Sequence, residues 1–171
     1  GRRRVGKTEL LKAFCADRSH IYFLAAQEAE PRQREKFVTK IANHFDDRTP
    51  QIDGWDEAFD YLGEKCAEER LVVVVDEFPY LVAENDSLPS YVQSFVDEQL
   101  QKTDSMLVLC GSSISTMESD VLGHESPLYG RRTGQIDLQP FSFQQARTII
   151  EYGIEDAIQS FAVTGGTPMY L

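Results

Sequence analysis

The sequence holds few of the residues that build disulfide frameworks or zinc sites. Its 171 residues include only three cysteines and three histidines, and they are scattered along the chain. An odd number of widely spaced cysteines favours reduced thiols over disulfides, and no Cys/His spacing typical of zinc ligation occurs. We therefore interpret all six as packing or surface residues: Cys15, Cys66, Cys110, His20, His44 and His124.

Long apolar runs are also missing. No stretch approaches the roughly 20 apolar residues that a membrane-spanning helix needs, and no part resembles a signal peptide. There is no low-complexity tract, internal repeat or linker. We therefore expect a cytoplasmic protein without a membrane partner, in one domain large enough to bury a core.

Basic residues are outnumbered, with 17 Lys and Arg against 28 Asp and Glu and a net charge of −11. Such an acidic surface repels nucleic-acid phosphates, which disfavours nonspecific DNA binding by the domain itself. Positive charge gathers at Arg2–Lys12 and at Arg131–Arg132. These clusters suit either the phosphates of a small nucleotide or a solvated surface.

Helical and strand patterns alternate along the chain. The runs "LVVVV" and "MLVLCGS" lack polar alternation, which indicates strands covered on both faces, as in a parallel sheet. The pattern predicts an α/β fold of three layers. Predicted strands are Ile21–Ala26, Leu71–Val75, Met106–Ser112 and Gln135–Leu138. Predicted helices are Thr8–Phe14, Pro31–His44, Trp55–Glu69, Pro89–Gln101, Ser142–Tyr152 and Glu155–Val163.

The first eight residues, "GRRRVGKT", fit the phosphate-loop pattern G-x-x-x-x-G-K-[ST] at every fixed position. Glycines let backbone N–H groups converge on an anion, and the following helix adds the partial positive charge of its N-terminus. Lys7 is predicted to reach the β- and γ-phosphates, and the Thr8 hydroxyl to bind Mg²⁺. The predicted nucleotide-binding residues are Gly1, Arg4, Val5, Gly6, Lys7, Thr8 and Glu9.

Asp76 and Glu77 follow the valine-rich strand directly. A phosphate-loop hydrolase needs an acid near the loop to hold Mg²⁺ through water, and a base that deprotonates the attacking water. We assign Asp76 to the metal and Glu77 to the base, because successive side chains at a strand end point in different directions. The alternative is that two charged residues simply mark where a buried strand meets solvent.

Five motifs follow one another along the chain: the phosphate loop, the strand "LVVVVDEFPYL", the strand end "LCGSSIS", and the segments "SPLYGRRTGQIDLQPFSF" and "GGTPMYL". With these motifs the chain resembles the archaeal-type ATPases of the AAA+ class, which are usually grouped with the STAND branch of signal-transduction ATPases. The resemblance implies ATP and Mg²⁺ as ligands and a P-loop NTPase sheet of strand order 5-1-4-3-2. It also implies a nucleotide-binding core over residues 1–140 and the beginning of a helical lid over residues 141–171.

The resemblance also assigns roles to individual residues. Ser112, with Ser113 as the alternative, matches the polar sensor of the γ-phosphate at the end of the fourth strand. Arg131 and Arg132 match an arginine that contacts a γ-phosphate, and the choice between them stays open. Pro168, in Gly166-Thr167-Pro168, matches a lid proline near the base, with a plain turn as the alternative.

By this resemblance the first, central strand would precede Gly1, so we expect a fragment that, expressed alone, is unstable, aggregates or borrows a strand from another chain. The leading hypothesis is slow, Mg²⁺-dependent ATP hydrolysis by a conformational switch. The alternative is a nucleotide-gated module whose DNA or protein partner binds a C-terminal output region. A small-molecule kinase is disfavoured by the Asp76-Glu77 pair, and homo-oligomerisation stays open.

Overall fold

A computed structural model describes residues 4–112, 117, 121, 123–151 and 153–171 of the chain. Its centre is a sheet of three parallel strands in the order β1-β2-β3: His20–Leu24 (β1), Val72–Asp76 (β2) and Met106–Leu109 (β3). Leu24 is paired with Asp76 in the register, so β1 and β2 end at the same edge. Parallel strands need crossover connections, and helices supply them here.

The helices of the described residues fall before, between and after these strands. They are Lys7–Cys15 (α1), Glu30–His44 (α2), Trp55–Glu68 (α3), Pro79–Glu84 (α4), Leu88–Glu98 (α5), Phe143–Ala146 (α6) and Ile154–Thr164 (α7). Two short 3₁₀ turns span Leu100–Lys102 and Pro168–Tyr170. Within the described part of the chain, no helix combines the length and apolar character needed to cross a membrane.

Helices cover both faces of β2, as its uninterrupted valines predict. Val73 and Val75 belong to the large core under α2, α3 and α5, together with aromatic residues such as Phe37 and Phe59. Val72 and Val74 belong to a smaller core with Cys15 of α1. The sheet is thus the middle of three layers, with α1 on one side and α2, α3 and α5 on the other.

Predicted and observed helices agree within one or two residues for α1, α2 and α7, and α3 ends one residue early. Helix α5 ends at Glu98, where a 3₁₀ turn replaces its predicted last turn. Helix α6 keeps only four residues of the predicted Ser142–Tyr152 helix, after a capping box formed by Ser142 and Gln145. The sequence analysis missed α4, which has only six residues.

Strand β3 is not buried on both faces as predicted, because Met106 is 48% exposed and the next three residues are half-buried. Among the described residues only β2 pairs with β3, so its other edge lacks a neighbouring strand. The unpaired edge explains the exposure.

The strand predicted at Gln135–Leu138 is wrong. Residues 134–140 have no regular secondary structure, and Ile136 is 78% exposed. A strand is stabilised by ladder hydrogen bonds to a neighbour, and no described strand pairs with this segment. The structure therefore contains three of the four predicted strands, and the five-strand order 5-1-4-3-2 stays a prediction.

The last thirty residues have a small apolar cluster of their own. It joins Ala146 of α6 and Ile150 beyond that helix to Ala157 of α7, with Phe143 and Phe161 packed edge to face. The division of the chain into a nucleotide-binding core and a lid that begins at residue 141 stays a prediction.

Candidate nucleotide-binding site

The phosphate loop leads directly into α1. Gly6 has φ +94° and caps the helix that begins at Lys7, and its carbonyl accepts the Leu10 N–H at 2.9 Å. A left-handed backbone of this kind favours glycine, which explains the second fixed glycine of the motif. Val5 is buried beside it, whereas Arg4 is exposed. Lys7, Thr8 and Glu9 form the first turn of α1.

Asp76 lies beside this helical turn. The Thr8 hydroxyl donates to Asp76 Oδ2 at 3.4 Å, and the Tyr22 hydroxyl donates to the same oxygen. The Glu77 backbone N–H donates to Asp76 Oδ1 at 2.9 Å. The carboxylate is 4% exposed, so these donors replace the water that it loses on burial. The structure thus joins the phosphate loop to the end of β2.

The strand register explains why Asp76 faces α1. Side chains at every second strand position share a face, and Asp76 follows Val72 and Val74, which pack with Cys15 of α1. Tyr22 packs in the same cluster and precedes Leu24, the register partner of Asp76, by two residues. The sequence analysis missed Tyr22, although a hydroxyl in an apolar strand was a signal for it.

Cys110 is a second neighbour of Asp76 that the sequence analysis did not assign to the site. Burial and the adjacent Asp76 carboxylate raise the pKa of the Cys110 thiol to about 12, and the positive charge of Lys7 opposes this rise. The thiol therefore stays protonated at neutral pH. Lys7 directly precedes Thr8, whose hydroxyl donates to Asp76, so the helical turn that carries the predicted phosphate-binding lysine lies beside the predicted metal-binding aspartate.

Burial and the hydrogen bond to Asp76 also raise the pKa of the Tyr22 phenol well above its usual range. At neutral pH the hydroxyl therefore keeps its proton and donates a hydrogen bond to the Asp76 carboxylate.

Glu77 is held in an unusual conformation directly after β2. Its φ is +55°, a left-handed backbone that costs a non-glycine residue about 1–2 kcal/mol. Its Oε2 accepts the Ser112 hydroxyl at 2.9 Å and the Ser112 N–H at 3.2 Å. Ser112 is thus bonded to Glu77, the residue that directly follows Asp76.

The oxygen donors fit Mg²⁺ bound together with phosphates. Mg²⁺ prefers oxygen ligands and takes one or two from protein, with phosphates and water supplying the others. The Thr8 hydroxyl and the Asp76 carboxylate are within 3.4 Å of each other. Within the described ranges, no three His, Cys, Asp or Glu residues form a metal-binding group. The pair thus fits a metal that arrives with its nucleotide.

Other predicted site residues form ion pairs or hydrogen bonds with partners other than Asp76, or lie outside the described residues. Arg131 forms a bidentate ion pair with Asp97 of α5, with N–O distances of 2.8 to 3.0 Å, and lowers the pKa of that carboxyl. Arg132 donates to Gln135, and the exposed Glu9 pairs with Lys12. Gly1 and Ser113 lie outside the described residues. The roles of both arginines stay predictions.

The end of the chain contacts the phosphate loop. Arg4 donates to the Tyr170 hydroxyl, and its guanidinium lies 5.3 Å from the centre of that ring. A Cβ added at Gly6 would lie 4.0 Å from the Pro168 ring. Gly166 makes this approach possible. Its φ of +72° favours glycine, and a Cβ at this position would clash with the backbone carbonyl of Phe141.

A cavity of about 650 Å³ lies at the opposite edge of the sheet, between residues 63–70 and 98–104. Its walls carry five acidic side chains and two basic ones: Glu64, Glu68, Glu69, Glu98, Asp104, Arg70 and Lys102. That balance repels an anionic nucleotide. The phosphate-loop edge is therefore the better candidate.

Comparison with known structures bears on the fold. The solved structure of the Walker-type ATPase PABY2304 of Pyrococcus abyssi superimposes on 98% of this chain with a TM-score of 0.67 and 20% identity, and the match covers 58% of that protein. At this identity the likeness concerns the fold alone, and it is consistent with a P-loop NTPase.

Sequence comparison gives the family. The uncharacterised protein MJECL04 of Methanocaldococcus jannaschii is 34% identical over the whole chain, and MJ0424 of the same organism is 37% identical over 57 residues. The match covers 37% of the length of MJECL04 and 55% of the length of MJ0424. Residues 1–171 match, from end to end, a family described as ATPase domains predominantly from Archaea. The chain belongs to that family.

Proposed function

We propose that the protein binds ATP with Mg²⁺ at the phosphate-loop edge of the sheet and hydrolyses it. The observation that carries this proposal is the contact between Thr8 of the loop and Asp76 of β2, with Glu77 and Ser112 beside it. In this proposal the loop binds the phosphates, Thr8 and Asp76 bind the metal, and Glu77 is the base beside them. Membership of an ATPase family supports ATP as the nucleotide.

Each residue has a separate task in this proposal. Bound Mg²⁺ would neutralise charge on the β- and γ-phosphates. Lys7 binds the same phosphates, and Asp76 orients the water around the metal. Glu77 orients the attacking water and accepts its proton, while Ser112 holds the Glu77 carboxylate in place. Because Glu77 is tied to Ser112 by two hydrogen bonds, the base is fixed before substrate arrives.

We propose further that this is the switch ATPase of the AAA+ and STAND type that the sequence suggests, with residues 141–171 as the lid. Pro168 and Tyr170 lie against Gly6 and Arg4 of the loop. A bound nucleotide at the loop would therefore touch both the core and the lid. Binding can stabilise the closed arrangement only through such differential contacts.

If the lid contributes to binding, Tyr170→Ala should weaken ATP binding about 2- to 13-fold, because a net hydrogen bond is worth about 0.5–1.5 kcal/mol. The melting temperature should hardly change, since Tyr170 is 52% exposed. Isothermal titration calorimetry on the full-length protein measures the affinity. Tyr129→Ala is the matched control, because Tyr129 is 45% exposed and stacks on His124 instead. Equal affinities for both variants would remove the lid contact from the proposal.

The metal is tested by phosphate release from ATP. We expect the full-length protein to hydrolyse ATP with Mg²⁺ and to stop in EDTA. Asp76→Asn should lower the rate about 10- to 100-fold, the usual effect of losing a group that orients metal-bound water. Asp86→Asn, in an exposed turn after α4, should match the wild type. Hydrolysis that persists in EDTA, or that Asp76→Asn leaves intact, would contradict the proposal.

A further inference from the structure

Asp76 receives hydrogen bonds from two different layers of the fold. Thr8 reaches Oδ2 from α1, and Tyr22 reaches the same oxygen from β1. The Glu77 N–H donates to Oδ1 from the backbone. Both carboxylate oxygens are therefore oriented. Tyr22 donates from within a strand, whereas the Cys110 thiol, which also lies against this carboxylate, follows β3.

The two hydroxyl donors, Thr8 and Tyr22, differ in what else they do. Thr8 belongs to the phosphate loop and is assigned to the metal, so its hydroxyl has a second task when nucleotide binds. Tyr22 is anchored by its ring in the small core with Cys15, Val72 and Val74. Its hydroxyl has Asp76 as hydrogen-bond acceptor, and phenylalanine would fill the same apolar space. The hydroxyl group therefore serves the carboxylate, whereas the ring serves the packing.

We propose that Tyr22 is a positioning residue, whose hydroxyl fixes the orientation of the Asp76 carboxylate toward the metal that accompanies the nucleotide. The inference rests on the proposed function, since Asp76 needs an orientation only if it serves a metal. Rigid support of this kind is typical around ligands that act on metals, and its loss weakens metal binding or activity about 10- to 100-fold. Tyr22 acts through Asp76 and is not assigned any contact with substrate.

The test is the coupling between Mg²⁺ and nucleotide in the full-length protein. Calorimetry with a non-hydrolysable ATP analogue gives two Kd values, one with Mg²⁺ and one in EDTA, and their ratio measures the coupling. For Tyr22→Phe we expect the ratio to fall about tenfold, through weaker binding with Mg²⁺ only. The Mg²⁺ concentration for half-maximal hydrolysis should rise in parallel.

Tyr61→Phe is the matched control. The Tyr61 hydroxyl also donates to a carboxylate, Asp47 Oδ2 at 3.2 Å, but Tyr61 packs against the large core on the other side of the sheet from α1. This variant should keep the wild-type ratio. A Tyr22→Phe variant with the wild-type ratio, or one that loses affinity equally in EDTA, would overturn the positioning role. A wild-type protein without Mg²⁺-dependent binding would instead refute the proposed function itself.

Discussion

Lys7→Ala should remove most of the affinity for ATP. Lys7 opens α1 directly after the left-handed Gly6, and its charge acts on Cys110 beside Asp76. We therefore expect the ammonium group to bind the β- and γ-phosphates, because the first turn of α1 lies beside the end of β2. Hydrogen bonds to charged groups contribute about 1.5–3 kcal/mol, so the Kd should rise about 10- to 150-fold. Calorimetry with MgATP on the full-length protein measures the change.

Lys12→Ala is the control for this variant. Lys12 lies on the same helix, is well exposed and pairs with Glu9 at 2.8 Å. The substitution Lys12→Ala removes the same charge from α1 without touching the loop. Its effect on Kd should be small, because exposed ion pairs contribute little and distant charges are screened. If both variants lowered the affinity alike, the effect would come from net charge rather than from phosphate contact. Unfolding curves for the two variants should coincide.

The sequence was sufficient for the parts of the site that depend on backbone topology. A buried run of valines predicts a strand covered on both faces, and parallel strands end at a common edge. The prediction that the carboxylate of Asp76 meets the turn after Gly6 follows from these two rules, and the Thr8 hydrogen bond agrees with it. The loop motif itself fixes where α1 begins.

What the sequence could not provide depends on neighbours that are distant along the chain. Tyr22 contacts Asp76, 54 positions away, only because the register of β1 on β2 brings them to one face. The ion pair of Arg131 with Asp97 also joins residues that are distant along the chain, and no local sequence pattern predicts it. For the false strand at Gln135–Leu138, the composition suited a strand, but the structure has no partner for it among the described residues.

Glu77→Gln should separate binding from turnover. Glutamine keeps the shape of the side chain, and its amide oxygen can still accept the two hydrogen bonds from Ser112. It cannot take a proton from water, so a base lost here should reduce kcat about 10²- to 10⁴-fold. The Kd for MgATP should stay close to the wild-type value. Single-turnover phosphate release, together with calorimetry on the same sample, distinguishes the two effects.

The control is Glu84→Gln at the exposed end of α4, which should change neither quantity. The backbone conformation of Glu77, with φ +55°, lowers the stability of the folded state, and an ordinary strand end does not require this conformation. A glutamate kept in that conformation and bonded twice by Ser112 is better explained by a task at the site than by solvation. If Glu77→Gln hydrolysed ATP at the wild-type rate, that task would not be proton transfer, and another group would have to activate the water.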